Sequence, residues 1–345
     1  MIDLRSDTLT RPTEAMLESM REATFGDDSR DGDETVRKLE ALAAERMGKE
    51  TGAFMPSGTM ANLVAMLTHA GRGGEVLLEE DSHTLNAELG GISAVAGLFY
   101  RGIPGKRGAM DTDALGEALR PATRHHMGTA LVWMENTHNR AGGATLPLAH
   151  MKAVYGLARD KEIPVHLDGA RIFNAAHALK ASAKEIAQYS DSVCFCVSKG
   201  LSAPVGSILC GGRDFIERAR GFRRMVGGNL RQAGPLAAAG IVALETMVNR
   251  LPEDHQTARR LAEGLHRIDP SLCDPAEVET NLVKVSVRAS GRRAAEWAGE
   301  LKGAGVMVAP ADTWHLRFVT HRHISAADVD AVVGSFGRLW KRAWR

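Results

Sequence analysis

Apolar runs of strand length recur along the chain, separated by segments of helical period. The runs are Val76-Leu77-Leu78, Ala130 to Met134, Ile163 to Leu167, Ser192 to Val197 and Ser207 to Cys210. Between them, Thr35 to Met47, Thr59 to His69, Leu148 to Lys161 and Ala183 to Tyr189 place apolar residues on one helical face. Strands that are apolar throughout, without alternation, are buried on both sides. The pattern therefore predicts an α/β fold with a mostly parallel sheet covered by helices. The pattern changes after about Leu236. Ala237 to Asn249 predicts a long linking helix, while Asn281 to Arg288 and Trp314 to Thr320 alternate as half-exposed strands do. Ala326 to Arg345 predicts an amphipathic helix whose closing cations, Lys341, Arg342 and Arg345, suit the negative end of the helix dipole. The expected organisation is a large α/β domain over residues 1–240, its N-terminal segment reaching the ligand site, and a small α+β domain over residues 241–345.

Composition narrows the class. The chain has 345 residues, 44% hydrophobic and 25% charged, ordinary values for a globular protein. Lys plus Arg number 43 and Asp plus Glu 42, a balance that gives no electrostatic reason to expect nucleic acid as partner. No apolar run approaches the roughly 20 residues of a membrane span. The opening MIDLRSDTLTRP is charged and lacks the apolar stretch of a signal peptide. Cys194, Cys196, Cys210 and Cys273 are too sparse for a disulfide framework and lack the spacing of a metal site. A reduced, cytoplasmic enzyme without a metal is expected.

Polar residues at the ends of predicted strands come next, because open parallel sheets bind ligands there. The strand through His166 and Leu167 runs into Asp168, followed by Gly169 and Arg171. A carboxylate there needs a partner, although a helix-capping Asp would read the same. The strand through Cys196 and Val197 ends in Ser198-Lys199-Gly200. A desolvated lysine is an amine nucleophile towards an aldehyde, although an exposed turn lysine would look alike. Earlier, Pro56-Ser57-Gly58-Thr59 opens directly into a helix, where unpaired N–H groups cradle phosphate; an ordinary Ser cap is the plain alternative. In that order, cradle, strand-end acid and strand-end lysine are what pyridoxal phosphate requires.

Nine blocks then carry a family resemblance: DLRSDTLTRPTEAM (3–16), GDD (26–28), PSGTMANL (56–63), EEDSH (79–83), ENTHNRAGG (135–143), HLDGAR (166–171), VSKGLSAPVGS (197–207), GGNLRQAG (227–234) and RFVTH (317–321). With them the chain resembles the threonine aldolase family of fold-type I pyridoxal phosphate enzymes, which are similar in fold to aspartate aminotransferase. The resemblance implies retro-aldol cleavage of L-threonine, L-allo-threonine or related β-hydroxy-α-amino acids to glycine and an aldehyde. It assigns Lys199 to the cofactor aldehyde, Asp168 to the pyridine nitrogen, Gly58 and Thr59 to the phosphate, and His83 to the ring face. Arg231 matches a phosphate-region residue usually taken from a neighbouring subunit, with Arg223 or Arg224 assisting. Ser6, Arg171 and Arg317 match the substrate-carboxylate groups, with Arg171 alternatively on the cofactor's phenolic oxygen. His125, beside His126, falls where a substrate-hydroxyl histidine sits, so His83 and His125 are the candidate bases. A homotetramer with shared active sites is implied, and no nucleic-acid or membrane partner. Amino-acid racemisation, β-elimination and a non-catalytic amino-acid-sensing module are the alternatives. Arg30, Asn229 and Arg322-His323 depart from the family pattern and point to a bulkier or more polar substrate than threonine.

Overall fold

The computed structural model describes residues 1–125 and 127–343. Its largest sheet has seven strands: β1 (Thr51–Met55), β2 (Glu75–Glu79), β3 (Phe99–Ile103), β4 (Thr129–Glu135), β5 (Val165–Asp168), β6 (Ser192–Cys196) and β7 (Ser207–Gly211). Their spatial order is β1-β7-β6-β5-β4-β2-β3. Only β7 runs against the rest, being antiparallel to both β1 and β6. All the other strands therefore end on the same edge of the sheet. The fold class is α/β, as expected.

The apolar strands are buried on both faces for a visible reason. Leu77, Val132, Leu167 and Ile208 join one core cluster, and their neighbours Val76, Leu78, Leu131 and Leu209 join the other. The helices of eight or more residues are α1 (Glu14–Glu22), α2 (Glu34–Met47), α3 (Gly58–His69), α4 (Leu148–Arg159), α5 (Ile172–Leu179), α6 (Arg213–Met225), α7 (Gly234–Val242), α8 (Leu251–Ile268), α9 (Ala294–Gly303) and α10 (Ala326–Ala343). Strands β1 and β3 were not expected from the sequence. Tyr100 and Phe99 are exposed on β3, an edge strand without a buried-strand pattern.

The expected linking helix Ala237–Asn249 is one stretch of a longer helical run from α7 into α8, passing through Ala243–Met247 and Val248–Arg250 as π and 3-10 turns. Pro252, in the first turn of α8, has no N–H to give to the Val248 carbonyl, which fits the 3-10 turn at Val248–Arg250. A three-stranded sheet follows, ordered β8 (Leu282–Ser286), β10 (His315–Val319), β9 (Ala309–Pro310). It packs a separate core with Trp297 stacked on Phe336 at 5.1 Å between ring centres. Leu4 belongs to this core, and Ile2–Asp3 pairs with Val306–Met307. The N-terminal segment is thus tied to the C-terminal part of the chain before it crosses to the large sheet. Helix α10 is described to Ala343; Trp344 and Arg345, where the sequence extends this helix, lie outside the described residues.

Candidate active site

Asp168 is the last residue of β5 and Glu135 the last of β4, while Lys199 follows the end of β6 by one short turn. Ser57 follows β1 and caps α3. The common strand direction brings all four to one edge, where they line a cavity of about 390 Å³ with Gly58, Thr59, His83 and Arg171. That volume lies in the range of small-molecule sites, about 300–1,000 Å³.

The first turn of α3 is open towards this cavity. Ser57 Oγ accepts from the Met60 N–H at 3.1 Å, and the Ser57 carbonyl accepts from the Ala61 N–H at 3.0 Å. The Gly58 and Thr59 N–H groups precede those bonds and have no intrahelical acceptor. A Cβ built on Gly58 would stand 2.9 Å from Cys196 Sγ, so the close approach of α3 to β6 needs glycine. On the opposite side, Thr10 Oγ1 donates to the Lys199 carbonyl at 2.7 Å and pins the loop that carries the amine.

Asp168 is buried, and each of its oxygens has one protein donor. Its Oδ1 accepts from the Ala170 N–H at 3.1 Å, and its Oδ2 from Asn62 Nδ2 at 2.9 Å. Asn62 lies one turn beyond Gly58 on α3, a spacing that turns both to the same side. Asn62 Nδ2 also donates to Glu88 Oε1 at 2.8 Å, and its Oδ1 accepts from Cys194 Sγ at 3.1 Å. Glu88 Oε1 lies 3.0 Å from His83 Nδ1. Glu135 Oε1 accepts from the Asn139 N–H at 2.8 Å, and its Oε2 from the His83 N–H at 2.5 Å. The hydrogen bond to Glu88 raises the His83 pKa against the effect of burial, with Asp168 and Glu135 adding to it. Burial raises both Glu88 and Glu135.

Arg171 points its fork at Asp7. Nε and Nη2 donate to Oδ2 and Oδ1, each at 2.7 Å, in a pair in which Asp7 is wholly buried. Asn281 Nδ2 adds a third donor to Asp7 at 3.2 Å. Burial alone would raise the Asp7 carboxyl, but the Arg171 charge and hydrogen bonds override it and hold it well below the usual range. Two of the donors expected to meet a ligand are therefore already engaged, leaving Nη1 of Arg171. Arg317 stands close by: Nη1 donates to Asn139 Oδ1 at 3.2 Å and Nη2 to the Arg5 carbonyl at 3.3 Å. Burial and the neighbouring Arg171 cation lower its pKa. Ser6 Oγ accepts from both the Thr8 N–H and Thr8 Oγ1, which leaves its own proton to donate.

Ser6 and Arg317 are not among the residues that line this cavity, and two further expected residues lie away from it. His125 is exposed in the segment before β4, bonded to Arg124 and Thr123, with no element folding it over the site. His126 lies outside the described residues. Arg231 is exposed just before α7. Arg223, expected with Arg224 as an alternative to assist at the phosphate, is engaged with other groups of the chain. It donates to the Phe54 carbonyl at 2.8 Å, to Asp28 at 2.7 Å and to Asn229 Oδ1 at 2.9 Å. Asn229 also donates to Ser29 Oγ at 2.9 Å and so ties the loop at residue 29 to Arg223. His323 accepts from the Arg11 N–H at 3.1 Å and serves the N-terminal segment. A second cleft, about 780 Å³, opens beside α5 between His177, Lys180, His255 and Arg259, and none of the sequence-derived site residues lines it.

This assembly of strand-end acid, strand-end lysine and open helix start is what comparison with known proteins has to account for. The profile of the beta-eliminating lyase family matches residues 3–288. The chain belongs to that family. It is 43% identical to a probable low-specificity L-threonine aldolase 2 of Arabidopsis thaliana, over 98% of this chain and 97% of the relative. It is 42% identical to the low specificity L-threonine aldolase of Escherichia coli, over 94% and 95%. Among solved structures, the Leishmania major threonine aldolase superposes with a TM-score of 0.83 at 17% identity, over 99% of this chain and 100% of that one, which speaks for the fold.

The sequence had not singled out Asp7, Asn62, Glu88 or Glu135 for the site. Asn62 and Glu88 carried a usable signal in their helical and loop spacing from Gly58 and His83. Asp7 carried none, because only the fold distinguishes it from Asp3.

Proposed function

We propose that this chain is a pyridoxal phosphate-dependent aldehyde-lyase of the threonine aldolase type. It cleaves L-threonine, L-allo-threonine or a related β-hydroxy-α-amino acid to glycine and an aldehyde. The observation that carries the reading is that Lys199, Asp168 and the open first turn of α3 line one cavity. Those residues fit the cofactor. Gly58 leaves room for a close anion where a side chain would strike Cys196, and Asp168 is a buried carboxylate held in place by Asn62. Lys199 would hold the aldehyde carbon, Asp168 the ring nitrogen, Gly58 and Thr59 the phosphate, and His83 the ring face. Once bound, the cofactor supplies a sink for the electron pair of the broken Cα–Cβ bond.

The chain's own groups do the rest. Arg317, the Ser6 hydroxyl and the remaining Nη1 of Arg171 orient the substrate carboxylate, a task suited to planar guanidinium forks. Asp7 and Asn281 hold Arg171 in place. His83 takes the proton of the β-hydroxyl, histidine being the side chain ordinarily suited to proton transfer at physiological pH. His125 and Arg231, exposed on this chain, serve the site of a neighbouring subunit in a homotetramer. Arg30, exposed and 3.8 Å from Asp27, is the side chain we assign to altered substrate preference at that shared boundary. Residues 1–240 act as the cofactor domain, apart from Ile2–Leu4, which pair and pack with the C-terminal part, and 241–345 as the small domain, in a cytoplasmic enzyme. Among the described residues no helix is long and apolar enough to cross a membrane.

Product identification tests the reading. Threonine, allo-threonine and phenylserine are each incubated with wild type and with Lys199→Ala. Glycine plus the matching aldehyde from wild type, absent with the variant, is expected. The mirror-image amino acid, or a keto acid with ammonia, would replace the aldolase reading with a racemase or an eliminating lyase. A clear preference for threonine over bulkier substrates would overturn the role given to Arg30.

A further inference from the structure

The relay from His83 through Glu88 and Asn62 to Asp168 is not explained by cofactor contacts alone. We propose that Glu88 is a positioning residue that fixes His83 as the Nδ1–H tautomer, leaving Nε2 as the ring atom that accepts the substrate proton. The reaction in this statement rests on the function proposed above; the tautomer does not.

The proton can be placed by following donors along the relay. Asn62 Oδ1 faces Cys194 Sγ at 3.1 Å, and Nδ2 faces both carboxylates, at 2.8 Å to Glu88 and 2.9 Å to Asp168. A flipped amide would put its oxygen against two acids, so the orientation is determined. Each Nδ2 proton then goes to one carboxylate. Glu88 Oε1 accepts one of them and is the same atom that lies 3.0 Å from His83 Nδ1. The O–H oxygen of a carboxylic acid is a poor acceptor, so the oxygen that takes the Asn62 proton is better satisfied as carboxylate, and we place the proton between Glu88 and His83 on Nδ1. The Glu88 side chain is 5% exposed and that of His83 34%, so the ring is held on its buried edge and open on the other. Its backbone is held too, by Glu135 Oε2. The charged groups that face His83 are Glu88, Glu135 and Asp168, with Lys199 lining the same cavity.

The consequence for the reaction is direct. The β-hydroxyl O–H bond breaks and its proton moves to Nε2. The O–H electron pair becomes the second C–O bond of the aldehyde. The Cα–Cβ pair stays with the glycine carbon, which takes up a proton afterwards. His83 becomes an imidazolium whose Nδ1–H remains on Glu88, so the charge it gains is met by a carboxylate already in place. Without Glu88 the ring could present Nε2–H, a donor where an acceptor is required.

The test uses the apoprotein carrying 15N-labelled histidine, with the His83 signals assigned by their loss in His83→Gln. Two-bond proton–nitrogen correlation is expected to show neutral His83 with a proton on Nδ1 and none on Nε2. Glu88→Gln is expected to lower the His83 titration midpoint by roughly 1–3 pH units, the effect of removing a carboxylate at contact. In the cofactor-loaded enzyme, the acid limb of kcat against pH should move in the same direction, with KM changed less. A wild-type ring protonated on Nε2, or a midpoint unmoved in Glu88→Gln, would overturn the proposal. The wild-type spectrum decides the tautomer even if the variant does not fold. A wild type that releases no glycine, yet shows the Nδ1–H ring, would sink the proposed function and leave the tautomer standing.

Discussion

Replacing Asp7 by Asn changes almost no volume and removes one charge from the buried pair with Arg171. Both partners are buried, and two charge-assisted hydrogen bonds of 2.7 Å join them. Asn would offer one acceptor oxygen, and its amide would face a guanidinium whose ion pair among the described residues is with Asp7. Breaking one side of a buried ion pair costs about 3–5 kcal/mol, because the surviving charge stays desolvated. Urea unfolding of the apoprotein should therefore show Asp7→Asn and Arg171→Met each less stable by about that amount. The double variant Asp7→Leu with Arg171→Met should regain much of the loss, since an apolar replacement leaves no orphan charge. The pH dependence has a definite sign. The pair holds the folded-state Asp7 carboxyl below its unfolded value of about 3.9, so its contribution is complete above that pH and falls away as the solution is acidified further. Asp7→Asn should lack that part of the acid limb. A cost under about 1 kcal/mol, the value of a surface pair, would refute the reasoning. So would purely additive effects in the double variant.

Gly58→Ala should weaken cofactor binding, measured by equilibrium dialysis, because its Cβ meets Cys196 Sγ at 2.9 Å. Displacing one anion-binding N–H is worth roughly 1.5–3 kcal/mol, or about 10- to 150-fold. Cys196→Ala in the same chain makes room and should restore most of it; no recovery would mean that crowding is not the cause. Arg317→Gln should raise KM for the amino-acid substrate by about 10-fold or more while leaving cofactor affinity unchanged, since it removes a charged fork from the carboxylate side only. Burial pushes the Cys194 and Cys210 thiols up, so neither should react with a thiol reagent at pH 8 until the protein unfolds. Labelling of either in the native state would contradict their burial.

The strands that carry Glu135, Asp168 and Lys199 to the site were legible because they are apolar without interruption, and a two-sided sheet demands that. Lys199 and Asp168 stood out for the same reason, each being a polar residue at the tip of such a run, whereas Gly58 was legible from the turn that opens into α3, the strand before it being unrecognised. Strand β3 was not legible, since Tyr100 and Phe99 are exposed and an edge strand imposes no buried pattern. The residues that hold the site together were hidden more deeply. Asp7 meets Arg171 across 164 positions of sequence, and Asn62 meets Asp168 across 106, contacts that only the tertiary fold creates. His125 and Arg231 illustrate the converse. Their motifs are readable, yet a single chain leaves them on its surface.

The central claim is that the Lys199 amine is the covalent anchor of the cofactor, and borohydride reduction tests it most directly. Reduction of the cofactor-loaded protein, followed by peptide mapping, should place a stable pyridoxyl mass on Lys199 and nowhere else. Lys199→Ala should carry no label while still binding the free cofactor weakly through the α3 cradle. A label on another lysine, or a wild-type protein that stays colourless with excess pyridoxal phosphate, would contradict the account.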